Sequence, residues 1–327
     1  MMNEDTVLID AFRQMVAAAA TPAEVRRVEE GGSAGPMVEA FRRSGFADAL
    51  VPEAQGGAGL RLPDLYSLLC IVGEHAVPVP IGETMMIRGL VGRRGGAVPD
   101  DSLAVFGAAS VGIPGGAHAS HALIERDGTI ALVEAAPVGP DLFRNGGATG
   151  LSYREACWSA AEAPGVVLLA AAATTSALMA GAMARVLAMT LAHARDRQQF
   201  GRPLGKFQAI QQQIAVLAEQ VLSVQVAART AFSGEDFDPA RVAAAKCRAN
   251  EASTLVCNIG HAVHGAIGAT AEFDLQLYTR RLKAWQLAYG SESFWAERLG
   301  RLRAGAAVST TADFLRLNLA TETIAHV

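Results

Sequence analysis

The chain has 327 residues, of which 51% are hydrophobic and only 18% are charged. This composition excludes an intrinsically disordered protein, which combines low hydrophobicity with high net charge. The 28 Lys and Arg residues stand against 32 Asp and Glu residues, so the formal net charge of −4 gives no electrostatic basis for binding nucleic acid. Alanine, the strongest helix former, supplies much of the apolar fraction. We therefore expect a mainly helical protein with two or three packed parts.

The first region, residues 1–92, is predicted to form a helical domain. Apolar residues recur at helical spacing near its start, and Thr21 followed by Pro22 is typical of a helix beginning. The glycine-rich segment 51–60 lacks both the Lys-Ser/Thr of a phosphate-binding loop and the glycine spacing of a dinucleotide fingerprint. We interpret it as a connection between two helices.

The second region, residues 93–156, changes to glycine, proline and short β-like runs. Asp127-Gly128 lies between two apolar runs and is a strong signal for a β-hairpin. The nearby pair His118 and His121 could bind a metal, but no neighbouring cysteine or acidic cluster completes a coordination shell. We expect a small β domain and no metal.

The third region, residues 157–327, is predicted to form a four-helix bundle from long antiparallel helices. Segments 166–195 and 239–261 are helical in texture, and one face of a further helix carries five apolar residues: Ile210, Ile214, Leu217, Val221 and Val224. The alanine-rich stretch 166–183 is interpreted as too weakly apolar for a membrane span, and hence as a helix buried in the bundle.

The start of the chain and its cysteines favour a cytoplasmic location. The sequence begins Met-Met-Asn-Glu-Asp, which is acidic where a secretory signal carries positive charge. Cys70, Cys157, Cys247 and Cys257 show no CxxC or zinc-ligand spacing. We interpret them as small buried apolar groups in a reducing compartment, in a protein without a membrane partner.

A cluster of polar and aromatic residues marks the break between two predicted bundle helices. Arg197 precedes a Phe-Gly step, where a guanidinium can project from a rigid helix end toward an anion such as a pyrophosphate. Phe200 offers an apolar face, and Gln208 offers amide donors and an acceptor. Taken singly, these residues also fit a surface ion pair, a core phenylalanine and a solvated helix face.

Residues 197–208 resemble the R-x-Q-F-G-x-x-[IL]-x-x-F-Q signature of flavin-dependent acyl-CoA dehydrogenases. Residues 264–268, His-Gly-Ala-Ile-Gly, resemble that family's Q-x-x-G-G-x-G turn. Segments 51–59 and 78–84 are similar to its amino-terminal helical domain, so the three motifs span nearly the whole chain in the family's order. The resemblance implies an acyl-CoA dehydrogenase-like fold, FAD as cofactor and an acyl-CoA substrate.

In the family, FAD lies across a subunit interface, and the signature residues reach the pyrophosphate and adenosine end of the flavin held by the neighbouring subunit. The resemblance therefore implies five cofactor-binding residues in this chain: Arg197, Gln199, Phe200, Gln208 and Gly265. An electron-transfer flavoprotein or a similar acceptor is implied as the redox partner.

The family's catalytic base is a glutamate, and neither of its usual positions holds one here. The segment that matches the family's Y-E-G-T reads Ala-Tyr-Gly-Ser-Glu, so Gly290 replaces the glutamate. The alternative position, on the helix before the signature, falls at Ala171. Glu292 lies two residues from the expected place, but with Ser291 as a helix cap it is interpreted mainly as a first-turn acidic residue.

A second departure concerns the β region, which is short and lacks the T-E-P-x-x-G-S-D and W-I-T-N segments that hold the flavin ring and the thioester in the family. In the glycine turn, Ala262 and Ala266 replace the first Gln and the second Gly. The chain thus resembles the short subunit of heteromeric α2β2 acyl-CoA dehydrogenases, which are associated with bulky acyl groups such as steroid side chains.

The leading hypothesis is a subunit without its own base that completes the FAD site of a full-length paralogue. Two alternatives stay open. One is a self-sufficient homo-oligomer that uses Glu292 as base, and the other is a structural paralogue that packs against a partner without touching flavin.

Overall fold

The computed structural model describes residues 4–107, 112–126, 128–148, 150–153 and 165–319. The amino-terminal helices are α1 (Glu4–Ala19), α2 (Pro22–Glu29), α3 (Gly35–Arg43), α4 (Leu62–Glu74) and α5 (Ile81–Gly92). The middle strands are β1 (Ala104–Phe106), β2 (His121–Arg126), β3 (Thr129–Val138) and β4 (Gly150–Tyr153). The elements that follow are α6 (Val166–Asp196), β5 (Gln198–Gln199), β6 (Arg202–Pro203), α7 (Gln208–Ala231), α8 (Pro239–His264), α9 (Leu275–Leu287), α10 (Glu292–Gly305) and α11 (Thr311–Asn318).

This order confirms the predicted mainly α fold, with a small sheet between two helical parts. We propose that the three groups of elements are domains with boundaries at 92/93 and 156/157. The second boundary lies outside the described residues.

Two predictions for the amino-terminal part are confirmed, the helix start at Thr21-Pro22 and the connection formed by segment 51–60. The Thr21 side chain accepts a hydrogen bond from the backbone N–H of Glu24 (3.3 Å), which caps the start of α2 ahead of Pro22. Segment 51–60 connects two helical elements and contains only a short 3-10 helix, Glu53–Gln55. The glycines there serve a turn between helices.

The middle strands form a sheet in the order β1-β2-β3-β4. Strand β1 runs parallel to β2, whereas β2 pairs antiparallel with β3 in a register that places Arg126 opposite Thr129. This register confirms the hairpin at 127–128, of which position 127 lies outside the described residues. Glu125 in β2 accepts hydrogen bonds from the backbone N–H groups of Gly165 and Val167 (the latter 3.0 Å), so the sheet caps the start of α6.

Helix α6 is the central element of the bundle and contacts α4, α7, α8 and α9. The predicted apolar face of α7 points inward, because Leu217, Val221 and Val224 are buried while Ile210 and Ile214 are half-buried. The prediction that the cysteines are buried is confirmed only in part. Cys257 is buried, Cys70 and Cys247 are half-buried, and Cys157 lies outside the described residues.

The expectation that segment 166–183 is too weakly apolar to cross a membrane was wrong. By length and composition α6 qualifies as a membrane-spanning helix, but 89% of its most apolar 18-residue window is buried inside the protein. The predicted burial is therefore confirmed, since the apolar surface of α6 is covered by neighbouring helices.

Helices α4 and α6 cross at two glycines with their backbones in close contact. A Cβ added to Gly181 would lie 1.9 Å from the carbonyl oxygen of Cys70, and one added to Gly73 would lie 2.0 Å from that of Leu178. Both distances are far below van der Waals contact, so any side chain here would force the helices apart.

We predict that Gly181→Ala lowers the free energy of unfolding by about 2 kcal/mol, because the cost of overpacking exceeds the gain in helix propensity. Gly300→Ala in α10 is the matched control. None of the described residues places an atom within 4 Å of an added Cβ there, so this change should stabilise the protein slightly. Chemical unfolding followed by circular dichroism measures both. Equal stabilisation of the two variants would contradict the close crossing.

Candidate functional site

The carboxyl end of α6, the amino end of α7 and the carboxyl end of α8 meet at one end of the bundle. His193 in the last turn of α6 stacks on His264, the last residue of α8, with ring centroids 4.5 Å apart. Because Arg197 and Gln208 flank the α6–α7 connection and Gly265 follows His264, the structure brings the predicted cofactor-binding residues to this end.

The connection between α6 and α7 is a tight two-strand ribbon that displays Phe200. Strands β5 and β6 pair antiparallel, and the turn between them places Phe200 at φ 51° and Gly201 at φ 78°. Positive φ at both central residues is typical of a type I′ turn. The Phe200 side chain is 92% exposed, so it is not the core phenylalanine that the sequence also allowed. An exposed ring on a rigid turn is available to contact a ligand or another subunit.

Arg197 caps the carboxyl end of α6. Hydrogen bonds fix its backbone, whereas its side chain makes none with the described residues. Its N–H donates to the carbonyl of His193 (2.9 Å), and its own carbonyl accepts from the N–H of Leu204 (2.8 Å). The guanidinium is exposed and forms no hydrogen bond or ion pair with any residue that the structure describes. The surface ion pair that the sequence allowed is therefore not found in this part of the chain. Gln199 and Gln208 are likewise exposed.

The two glycines after α8 have different roles. Gly265 has φ 66°, and within the described part of the chain no atom lies within 4 Å of an added Cβ, so its backbone is open to a ligand. Gly268 is buried, and an added Cβ would lie 2.8 Å from the Cβ of His264. Gly265 therefore leaves its backbone open, whereas Gly268 is required for packing.

An aromatic cluster behind Arg197 was missed by the sequence analysis. His264 donates a hydrogen bond from Nδ1–H to the carbonyl of Gly260 (2.7 Å), while its buried Nε2 has no hydrogen-bond partner among the described residues. Phe273 lies against both imidazoles, 6.3 Å from His193 and 5.1 Å from His264 between ring centroids. Desolvation is the main cause that lowers the pKa of both histidines, so burial favours the neutral pair. No local sequence pattern connects these residues.

The turn that matches the family's base segment has no room for a side chain at Gly290. Gly290 has φ 102°, and an added Cβ would lie 2.5 Å from Nε1 of the buried Trp295 and 2.7 Å from the ring of Phe294. The Trp295 Nε1–H also donates to the carbonyl of Tyr289 (2.9 Å). A glutamate at position 290 would therefore need Trp295 to move, a constraint that the sequence did not reveal.

A buried polar network holds this turn from below. Asn250 donates through Nδ2 to the carbonyl of Gly290 (3.1 Å) and accepts from Lys246 Nζ (2.6 Å), which also donates to the carbonyl of Trp285 (2.8 Å). Burial lowers the pKa of Lys246 to about 7. The turn is thus fixed by side chains of α8.

Neither alternative position supplies a base. Ala171 is fully buried in α6. Glu292 is exposed in the first turn of α10, which Ser291 caps by accepting from the N–H of Phe294 (3.2 Å). This placement matches the interpretation of Glu292 as a first-turn acidic residue. The base segment also lies at the far end of α9 from the aromatic cluster, and a helix of 13 residues spans about 20 Å.

The exposed end of the bundle fits part of an FAD molecule. A free guanidinium and two exposed amides suit a pyrophosphate and a ribose, and the exposed Phe200 ring suits an apolar or aromatic face. The described residues present this half of a site at the protein surface, and no group of three or more His, Cys, Asp or Glu side chains among them could hold a metal ion.

We predict that acid lowers the stability of this end of the bundle, because His193 and His264 are held in the neutral form there. Since both pKa values lie below the ordinary 6.5 in the folded protein, the unfolded chain binds more protons as the pH falls through that value, and stability is lost. The charged or titratable groups that act electrostatically on the pair are His261, Asp196 and Arg197.

His264→Leu should therefore reduce the loss of melting temperature between about pH 7.5 and about pH 5.5, because the variant has no buried imidazole to protonate. His121→Leu, in the sheet, is the control. An identical loss in the unaltered protein and in His264→Leu would contradict the role of the pair.

Residues 167–301 match the model of the acyl-CoA dehydrogenase C-terminal domain. The chain is also 30% identical over 325 residues to the acyl-CoA dehydrogenase IpdE2 of Mycolicibacterium smegmatis, a match that covers 93% of this chain and 99% of that protein.

Solved structures with the same fold include two whose names each join two proteins. The ChsE4-ChsE5 complex from Mycobacterium tuberculosis superposes with a TM-score of 0.83 at 21% identity, covering 94% of this chain and 99% of the other. A variant of the Tcur3481-Tcur3483 steroid ACAD gives a TM-score of 0.80 at 26% identity with the same coverage. FAD is the cofactor of the family, which confirms the predicted cofactor at that level. From its sequence and its fold, the chain belongs to the acyl-CoA dehydrogenase family.

Proposed function

We propose that this chain is the subunit of a heteromeric acyl-CoA dehydrogenase that lacks a catalytic base and completes the FAD site of a full-length paralogue. The single observation that supports this most strongly is the contrast between two ends of the bundle. One end displays a free Arg197 and an exposed Phe200, whereas the turn at Gly290 is filled by Trp295.

In this proposal the chain binds and orients the flavin without reacting with the substrate. Arg197 pairs with the pyrophosphate, Phe200 packs against the adenosine end, and Gln199, Gln208 and the backbone at Gly265 supply the remaining polar contacts. When bound, FAD would supply the acceptor for the hydride that leaves the β-carbon of an acyl-CoA, and a carboxylate of the partner would take the α-proton.

The substrate class and the partners follow from the same comparison. A bulky acyl-CoA, such as a degraded steroid side chain, is supported by the steroid ACAD among the structural relatives. We propose an α2β2 assembly in the cytoplasm that passes electrons to an electron-transfer flavoprotein or a similar acceptor. A self-sufficient homo-oligomer is less well supported, because Glu292 is exposed at a capped helix start.

Arg197→Ala should weaken FAD retention by the assembled complex. Loss of one charged hydrogen-bonding group costs about 1.5–3 kcal/mol, or roughly tenfold to hundredfold in affinity. Arg195→Ala is the matched control, since Arg195 is also exposed near the end of α6 but lies outside the signature. Visible flavin absorbance after dialysis measures both. Unchanged flavin occupancy in Arg197→Ala would refute the half-site.

Gly290→Glu should not create a base. The added side chain overlaps Trp295 and strains a backbone at φ 102°, so we expect a stability loss of about 2 kcal/mol or more and no acyl-CoA oxidation by the chain alone.

Gly300→Glu introduces the same charge at an open helix position and controls for it. Thermal melting and a dye-reduction assay with an acyl-CoA provide the two readouts. New activity in Gly290→Glu at unchanged stability would show that the chain keeps a complete site of its own.

A further inference from the structure

A cleft lies between α5, the start of α6 and the connection from α7 to α8. It has a volume of about 600 Å³, which is within the range of small-molecule binding sites. Most of its lining is apolar, and its wall includes five buried side chains: Leu50, Leu62, Met86, Leu90 and Leu169. An apolar molecule that packs against this wall loses contact with water, which favours binding.

The surroundings of the cleft are rich in positive charge. A second cleft of about 860 Å³ adjoins it, since Leu50, Leu62 and Arg93 line both. Together the two are lined by five arginines and two acidic residues, an excess of three positive charges, in a chain whose formal net charge is −4. A concave positive surface raises the local concentration of anions. The charged lining residues are Arg61, Arg93, Arg94, Arg241 and Arg298, with Glu235 and Asp236.

Arg298 of α10 is the arginine that can receive an anion at the apolar wall. It is half-buried, and within the described part of the chain its guanidinium forms no hydrogen bond or ion pair. Its Cζ lies 5.6 Å from the centroid of the Trp295 ring, and its Nη2 would lie 3.5 Å from a Cβ added to Gly165, the residue before α6. By contrast, Arg93 already donates to the carbonyl of Glu235 (3.2 Å). The Arg298 guanidinium is therefore held beside the first turn of α6 with its N–H donors unused by the described residues.

The cleft faces away from the side of α6 on which the family's alternative base position lies. Leu169 and Ala171 are two residues apart, which corresponds to about 200° around a helix. A molecule that packs against Leu169 therefore lies on the opposite side of α6 from Ala171. The cleft also shares no residue with the proposed flavin half-site, so this inference does not depend on the proposed function.

We propose that the cleft binds an amphipathic carboxylic acid, a molecule with a long or polycyclic apolar body and one carboxylate. The body packs against Met86, Leu90 and Leu169, and the carboxylate accepts hydrogen bonds from Arg298. One guanidinium matches one carboxylate in charge and geometry, because both groups are planar and can form two parallel hydrogen bonds. A small polar anion fits less well, since it would leave the apolar wall in contact with water.

The test is calorimetric titration of the full chain with dodecanoate below its micelle-forming concentration. Dodecanoate should bind at a single site and raise the melting temperature, because a ligand that binds only the folded state stabilises it. Arg298→Gln should weaken binding by about tenfold or more, since the carboxylate loses its charged donor. Arg301→Gln is the matched control and should bind normally, because Arg301 lies on the same helix, pairs with Glu297 and does not line the cleft.

Folding of the variants is checked by circular dichroism. Arg298 is only half-buried, so Arg298→Gln should keep the spectrum of the unaltered chain. Arg298→Lys keeps the charge but not the planar pair of donors, and it should retain part of the affinity.

Two further ligands separate the carboxylate from the apolar chain. Dodecanol should bind the unaltered chain about tenfold more weakly than dodecanoate, and Arg298→Gln should leave its affinity unchanged. Dodecanoyl-CoA has no free carboxylate and should not displace dodecanoate. Equal affinity of dodecanoate for the unaltered chain and Arg298→Gln, or no binding to either, would overturn the proposal. Displacement by dodecanoyl-CoA would also overturn it and would assign the cleft to an acyl-CoA.

Discussion

The arrangement of the candidate site depends on a backbone contact between α4 and α6 that only glycine permits. Gly73 and Gly181 let the two helices approach until an added Cβ would overlap a carbonyl of the other helix. This contact fixes the middle of the 31-residue α6 against α4. The sheet holds its first turn through Glu125, its last turn carries His193, and Arg197 follows as the residue that caps its carboxyl end. The position of Arg197 is therefore set by packing that extends through the whole bundle.

The two ends of the bundle differ, and this difference underlies the proposal that the chain binds flavin but lacks a catalytic base. At the end that carries Arg197, the side chains that could bind an anion have no partner among the described residues. The backbone of Arg197 is held by hydrogen bonds to His193 and Leu204. At the other end the carbonyls of Tyr289 and Gly290 are hydrogen-bonded and Trp295 is fully buried beside them. A polar group that is exposed and rigidly mounted is suited to a ligand brought by another molecule, whereas a filled turn leaves no room for a base.

The sequence predicted the features that local chemistry determines. Thr21 with Pro22, Ser291, and the Asp-Gly step at 127–128 each specify a helix start or a turn within a few residues, and the structure confirms all three. The inward face of α7 was also predicted, because it depends on helical spacing alone. The family was predicted from motifs, and the comparisons confirm it.

Contacts between distant residues could not be predicted in this way. His193 and His264 lie 71 positions apart in the sequence, and Cys70 and Gly181 lie 111 apart. Trp295 follows Gly290 closely, yet its ring reaches the glycine only because the turn bends back at φ 102°. The membrane-like apolarity of α6 was misjudged because its alanines were given too little weight. The roles of the five cofactor-binding residues stay predictions, since their function is defined by a ligand and not by the fold.

The most direct test of the account is the visible absorbance of flavin in the purified chain, alone and after co-expression with a full-length acyl-CoA dehydrogenase from the same source. The account predicts a colourless single chain and a yellow complex with about one FAD per pair of subunits. One FAD per chain in the absence of a partner would contradict it, because the chain would then hold a complete flavin site of its own.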